Sequence, residues 1–203
     1  MNNRQAWRYL PCYLLPLVPA IGLFGLCLHV MFSRLFYPYA LEWIEGGMLQ
    51  PVVRILQGLP LYTAPDMEYV PPLYAPLYFY LAAGLAYLTD AGLPALRLVS
   101  LLAASLTASL VALSVWRLSR SIPAALLALF CWGAVYRFSG YWYDVGRVDS
   151  LWALWLLAAV ASLVYFRQVG RPLFLWMALP ALVLAVLTKQ TSLMLLPFYL
   201  LLS

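Results

Sequence analysis

Two glutamates, Glu42 and Glu45, are candidate catalytic residues because of their type and spacing. They lie in the segment YPYALEWIEGG, and on a helix a separation of three residues puts both carboxylates on one face. Gly46 and Gly47 follow, and residues without side chains let a ligand come close to the backbone. Carboxylates can act as general acids and bases, and the two glycines leave room for a ligand to reach Glu45, which is therefore preferred over Glu42. A solvated helix with two ordinary surface charges is the alternative.

A second group of charges, Asp144, Arg147 and Asp149, lies in the segment YWYDVGRVDSLW. Charges set among aromatic residues beside an apolar run are costly unless they are paired or hydrated. Asp144, Arg147 and Asp149 are therefore candidate functional residues. The alternative is a structural one, in which an Arg–Asp pair closes a helix end and Asp149 caps the next helix.

Two cations complete the set of candidates. Arg137 lies within the apolar run Ile122–Tyr143, and an ionisable residue at such a depth indicates function unless its side chain reaches the surface. Lys189, in LTKQTS, is the only lysine of the sequence. Its compact ammonium group is suited to bind a phosphate, and an anchor at the membrane interface is the alternative.

The composition defines the class of protein that holds these residues. The chain is 66% hydrophobic and 9% charged, with a mean hydropathy of +0.88, whereas soluble domains are about 45–50% apolar and about 25% charged. The continuous apolar runs predict an all-α integral membrane protein. The net charge of +5 is spread over scattered arginines, which argues against nucleic-acid binding. Three cysteines lie within apolar runs, without metal-like spacing: Cys12, Cys27 and Cys131.

About six membrane helices are predicted from these runs. They are Leu10–Phe32, Leu96–Trp116, Ile122–Tyr143, Leu151–Phe166, Leu173–Thr188, and a run that starts at Thr191. Leu73–Thr89 contains four tyrosines, which favour the membrane interface, so we expect it to lie in the membrane plane or to re-enter.

The distribution of charge predicts which side of the membrane each loop faces. If Leu73–Thr89 does not cross, the pairs Arg117/Arg120 and Arg167/Arg171 share the inner face with the N-terminus, as the positive-inside rule prefers. Every acidic candidate then faces outward, together with Lys189. We therefore expect a single membrane domain over residues 1–203, with in-plane amphipathic helices in an outer loop at 34–95. The apolar end LLPFYLLLS indicates the N-terminal part of a longer protein.

Five segments in this order resemble the GT-C superfamily of glycosyltransferases, in the bacterial branch related to protein mannosyltransferases and aminoarabinose transferases. The segments are EWIEGG, PPLYAPLYFYLAA, RLVSLLAA, GRVDSLW and LTKQTSLMLLP. In that family the first outer loop carries an acidic motif, usually an adjacent Asp-Glu pair, whereas here Trp-Ile separates the two glutamates.

The resemblance implies a hexosyl or pentosyl transferase in the bacterial inner membrane, with its site on the periplasmic face. A sugar would pass, with inversion, from a polyprenyl-phosphate carrier to a hydroxyl of a lipid, glycan or protein. Glu45, Glu42 or Asp149 would serve as the base, and Lys189, Arg147, Arg137 and Asp144 would bind substrate. No cofactor is required, although a divalent metal on the carboxylates stays open. A lipid or sugar transporter or flippase subunit, and a non-catalytic membrane scaffold, are the alternative functions.

Overall fold

A computed structural model describes residues 3–89 and 92–195, and this part of the chain contains helices and no strands. The α-helices are α1 (Asn3–Leu35), α2 (Trp43–Leu56), α3 (Leu77–Thr89), α4 (Leu93–Ser119), α5 (Ile122–Ala134), α6 (Asp149–Val169) and α7 (Pro172–Thr188). Short 3₁₀ helices follow α5 at Val135–Arg137 and α7 at Gln190–Leu195.

Local sequence signals explain where several of these helices begin and end. α4, α5 and α7 each carry a proline at the first or second helical position, where its missing N–H costs no hydrogen bond. The Ser121 hydroxyl caps α5 by accepting from the Ala124 N–H at 3.4 Å. Gly170 ends α6 with a φ of 68°, the left-handed conformation that glycine adopts without steric cost.

Three helical segments are long and apolar enough to cross a membrane: Leu17–Leu35 within α1, Leu93–Ser119 and Asp149–Val169. Three shorter apolar helices cover Leu77–Thr89, Ile122–Arg137 and Pro172–Thr188. The predicted helical class is confirmed for the described residues, and these segments support a membrane environment. The prediction of six spans, with in-plane helices in a loop, stays a prediction.

The prediction of one helix over Ile122–Tyr143 is wrong. α5 ends at Ala134, and a 3₁₀ turn and irregular backbone lead to α6. Gly140 and Tyr141 have φ values of 71° and 62°, a conformation that a right-handed helix excludes. The other boundaries shift less: α3 begins at Leu77, after Pro76, rather than at Leu73. Of the expected last run, the 3₁₀ helix covers the described part to Leu195, and the rest lies outside the described residues.

α2, α3, α4 and α6 share one hydrophobic core, which includes Tyr78 and Phe79 of α3 and Leu96 of α4. The Tyr78 hydroxyl donates to the Leu96 carbonyl oxygen at 2.9 Å and lies 3.1 Å from Ser100 Oγ. Ser100 Oγ in turn donates to the Arg147 carbonyl oxygen at 3.1 Å. This connection fixes the segment before α6 against α3 and α4, at the end of the bundle where α4 and α6 begin.

Candidate functional site

Arg97 of α4 and Glu45 of α2 form an ion pair with no exposed surface on either residue. Arg97 Nε donates to Glu45 Oε1 at 3.0 Å, and Arg97 Nη2 donates to Glu45 Oε2 at 2.8 Å. Two parallel bonds of this kind match the planar guanidinium to the planar carboxylate. We refer to this contact as the Arg97–Glu45 pair.

All five N–H donors of Arg97 are used. Besides its two bonds to Glu45, Nη1 donates to the carbonyl oxygens of Arg34 and Tyr37, and Nη2 donates to that of Tyr39, over 2.5 to 3.0 Å. A guanidinium group offers five donors in a fixed fork. Arg97 therefore holds the chain that leaves α1 in a defined path toward α2.

The carboxylate of Glu45 is equally occupied. Oε1 also accepts from the Gly146 N–H and Oε2 from the Leu41 N–H, both at 2.7 Å. Burial alone would raise the pKa of Glu45, but the bonds from Arg97, Gly146 and Leu41, with the charge of Arg97, lower it below 4.5. Glu45 is therefore an ionised carboxylate whose oxygens already bind four donors.

Glu42 and Glu45 do not lie on one helical face as the sequence predicted. Glu42 is the N-cap residue of α2, with extended backbone at φ −147° and ψ 149°, and α2 begins only at Trp43. Because helical geometry starts after Glu42, the spacing of three residues does not align the two side chains. Glu45 points into the core, and Glu42 is directed toward Arg147 instead.

Four residues form a row of alternating charges, which we call the four-charge chain: Glu42, Arg147, Asp149 and Lys189. Arg147 Nη1 lies 2.8 Å from Glu42 Oε1, and Arg147 Nε lies 2.9 Å from Asp149 Oδ2. Lys189 Nζ lies 2.8 Å from Asp149 Oδ1. The side chains are 11% to 22% exposed, so the chain is sheltered and still open to a ligand.

Aromatic rings surround the two cations of the four-charge chain. The Arg147 guanidinium lies 4.1 Å from the ring centroid of Trp142. Lys189 Nζ lies 4.9 Å from the Trp152 ring and 5.6 Å from the Tyr74 ring. Such contacts stabilise a cation by about 0.5–1 kcal/mol at exposed sites and more where water is excluded. The rings therefore hold both cations in place without neutralising their charge.

Two atoms of the four-charge chain have no hydrogen-bond partner within the described part of the protein. Glu42 Oε2 is one of them, and it is shielded from solvent. Arg147 Nη2 is the other, since Arg147 uses Nε and Nη1. The site thus holds an unpaired carboxylate oxygen, the type of group that accepts a proton, and an unpaired guanidinium donor, the type of group that binds an anion.

Asp144 and Arg137 lie apart from the four-charge chain. Asp144 is buried, accepts from the Tyr136 hydroxyl at 2.6 Å, and lies 3.5 Å from Arg34 Nη1. Burial raises its pKa above 3.8, despite the Tyr136 bond and the Arg34 charge. Arg137 is an exposed residue of the 3₁₀ turn and forms no ion pair with the described residues.

Arg97 is not among the residues that the sequence predicts for the site. It stands in the first turns of a predicted span, in RLVSLLAA. A charged residue within a transmembrane segment is by itself a signal of a buried partner or a function.

No group of three His, Cys, Asp or Glu residues in the described part has the spacing of a metal site.

Comparison with protein-family models, with curated proteins and with solved structures found no match to this chain. The functional interpretation therefore depends on the residues and on their geometry.

Replacing Arg97 by methionine should strongly destabilise the fold, because it leaves the Glu45 carboxylate buried without its counter-charge. Removing one partner of a buried ion pair costs about 3–5 kcal/mol. Thermal unfolding of the purified protein in detergent, followed by tryptophan fluorescence, would measure the loss.

Arg117→Met is the matched control, because Arg117 lies near the exposed C-terminal end of the same helix. Its unfolding temperature should change little. Adding Glu45→Gln to Arg97→Met should recover part of the loss, since the unpaired charge is then removed. Equal effects of the two arginine variants would contradict the structural role of the pair.

Proposed function

We propose that this protein is a membrane glycosyltransferase that moves a sugar from a polyprenyl-phosphate carrier to an acceptor hydroxyl. The observation that carries the proposal is the four-charge chain, in which Glu42, with one unpaired oxygen, pairs with Arg147, and Asp149 joins Arg147 to Lys189. An attacking hydroxyl needs a base, and a departing lipid phosphate needs positive charge. Both requirements are met by neighbouring side chains at one end of an apolar helical bundle.

Glu42 is the base in this proposal, and Glu45 is a positioning residue. Arg147 binds Oε1 of Glu42, which leaves Oε2 to accept the proton of the attacking hydroxyl. The four hydrogen bonds on the Glu45 carboxylate occupy it, so the sequence-based preference for Glu45 is reversed.

Lys189 and Arg147 bind the carrier phosphate and offset its negative charge as it departs. Asp149 accepts from both cations, one on each oxygen, and so holds them at a fixed separation. We therefore assign Asp149 a positioning role. Asp144 and Arg137 do not contact the four-charge chain and have no direct role in this proposal.

A single displacement gives inversion at the anomeric carbon. The hydroxyl oxygen forms a bond to this carbon while the bond from the carbon to the phosphate oxygen breaks. The hydroxyl proton passes to Glu42, and the bonding electrons leave with the lipid phosphate. Because phosphate is already a good leaving group, no general acid is needed.

An apolar cavity of about 430 Å³ between α3, α4 and α6 suits the carrier's hydrocarbon tail. Leu85, Leu102 and Trp155 are among its lining residues, and Leu151 and Leu154 line its α6 side. Leu154 follows Asp149 on α6 by five residues, which is about 7.5 Å of helical rise. A prenyl chain in this cavity would place its phosphate near Lys189.

The proposal includes a six-span topology with an inner N-terminus and with α2 and α3 in an outer loop. The four-charge chain then faces the periplasm of a bacterial inner membrane, where lipid, glycan or protein acceptors are accessible. Charges gathered at one end of the helices favour an enzyme over a transporter, whose binding site is expected near the membrane midplane.

Glu42→Gln should lower sugar transfer by about 10²–10⁴-fold, because the amide cannot accept the proton. The assay measures transfer of radiolabelled glucose, mannose or galactose from its polyprenyl-phosphate form to a membrane extract by the purified full-length protein. Asp144→Asn is the matched control and should retain activity, since Asp144 lies outside the four-charge chain. Full activity of Glu42→Gln would eliminate Glu42 as the base.

Lys189→Ala should weaken binding of fluorescent polyprenyl phosphate at least tenfold, equivalent to about 1.4 kcal/mol. The reason is the loss of one of two cations aimed at the phosphate. Arg137→Ala removes the same charge from an exposed residue without an ion pair among the described residues, so its affinity should stay within twofold. An unchanged affinity for Lys189→Ala, or an equal loss for Arg137→Ala, would count against the phosphate site.

Cysteines placed before and after α3, at Met67 and Gly92, should react with a membrane-impermeant maleimide from the outer side only. Met67 is fully exposed and Gly92 is exposed, so both thiols are accessible wherever their segments face water. The parent chain, with its own cysteines, gives the background. Labelling of the two positions from opposite sides would show that α3 crosses the membrane, and the proposed topology would fail.

A further inference from the structure

A second cavity, of about 350 Å³, lies between the exposed face of α2 and the segment that follows it. Gly46, Gln50 and Gln57 line it from α2 and its C-terminal end, and Glu68 and Tyr69 line it from the following segment. Small-molecule sites in proteins have volumes of about 300–1,000 Å³, and the volume of this cavity falls within that range. None of its lining residues belongs to the four-charge chain.

The wall opposite α2 is held in place by its own contacts. The Arg54 guanidinium lies 4.0 Å from the Tyr69 ring centroid, and Arg54 Nε donates to the Pro60 carbonyl oxygen at 3.2 Å. The Tyr69 hydroxyl donates to the Leu61 carbonyl oxygen at 2.7 Å. Asp66 Oδ1 accepts from the Tyr69 N–H at 2.7 Å. This segment is therefore held in place before a ligand binds.

The polar groups in this cavity suit a neutral sugar. The side chains of Gln50, Gln57 and Glu68 form no hydrogen bond to another described residue. Together with Arg54 they offer both donors and acceptors, and the charges of Arg54 and Glu68 balance. A phosphate would need an excess of donors, whereas the hydroxyls of a sugar both donate and accept. The side chain of Val53 lines the same cavity and offers an apolar surface to the C–H face of a sugar ring.

The cavity begins at the end of α2 that Glu42 caps. Gly46, Gln50, Val53 and Gln57 succeed one another at intervals of three or four residues, which keeps them on one side of α2. Gly46 lies in the first turn of α2, four residues after Glu42. A glycan seated in the cavity would therefore extend along α2 toward the residue that caps it.

We propose that the cavity along α2 is the acceptor subsite, which binds a neutral glycan through the sugar next to the accepting one. This inference rests on the glycosyl-transfer function proposed above and specifies the acceptor as a carbohydrate rather than a protein or a simple lipid. Gly46 serves as the open floor of the subsite, since a Cβ added there would meet no atom within 4 Å.

The test measures sugar binding directly, without catalysis. Saturation-transfer NMR on the full-length protein in nanodiscs would use maltose, cellobiose, lactose and mannobiose, with inorganic phosphate as the charged comparison. Gly46→Leu should fill the cavity and reduce the disaccharide signal at least tenfold. Gly47→Leu is the matched control, because Gly47 has equally open surroundings but does not line the cavity. Its signal should match that of the parent protein.

The outcomes separate the subsite from the transfer reaction. Lys189→Ala should leave disaccharide binding intact while weakening carrier binding. Suppose that disaccharide binding depends on Gly46 but the protein binds no polyprenyl phosphate. This result would support the sugar-binding subsite and contradict the proposed glycosyltransferase function. Failure of all four disaccharides to bind, an equal effect of the two leucine variants, or a preference for phosphate would overturn the subsite. Sugar transfer unaffected by Gly46→Leu would do the same.

Discussion

Arg97 and Glu45 form an ion pair that is fully removed from solvent. Removing two charges from water costs several kcal/mol per ion, and geometry must offset this cost. Here the hydrogen bonds offset this cost. All five N–H donors of Arg97 are bonded, and the Glu45 carboxylate accepts four hydrogen bonds. The pair joins α4, α2, the chain leaving α1, and the segment before α6.

The four-charge chain follows from this arrangement. Gly146 is held by Glu45 through its N–H, and Arg147 is the next residue. Glu42 is held at the start of α2, one helical turn before the anchored Glu45. A Cβ at residue 146 would lie 2.9 Å from the Cβ of Leu96, so only glycine lets this segment pass so close to α4. Glu45 thus fixes the position of Arg147 through Gly146, and Arg147 in turn pairs with Glu42.

The residue types of the site were predictable from the sequence, whereas their roles were not. Glu42, Arg147, Asp149 and Lys189 stand out because charges are rare in so apolar a chain. Spacing alone could not distinguish Glu42 from Glu45, since the difference depends on the residue at which α2 starts. The pairing of Arg97 with Glu45 is not evident from the sequence, because the two residues are 52 positions apart.

Apolar runs predicted where the helices lie but not where each of them ends. Continuous apolar runs identify helices well, because hydrophobicity is a property of the run itself. The apolar run Ile122–Tyr143 nevertheless contains the end of α5 at Ala134 and left-handed backbone at Gly140 and Tyr141, and apolar composition reveals neither. The four tyrosines of Leu73–Thr89 predicted a helix in the membrane plane or a re-entrant one; α3 is a helix of 13 residues, and its placement in the membrane stays a prediction.

The most direct measurement is an experimental structure of the full-length protein in a lipid nanodisc with a bound polyprenyl-phosphate sugar. We expect phosphate oxygens within hydrogen-bond distance of Lys189 Nζ and Arg147 Nη2. We also expect the prenyl tail between α3, α4 and α6, and the anomeric carbon facing Glu42. A phosphate bound away from both cations, or a sugar on the far side of the bundle from Glu42, would contradict these expectations.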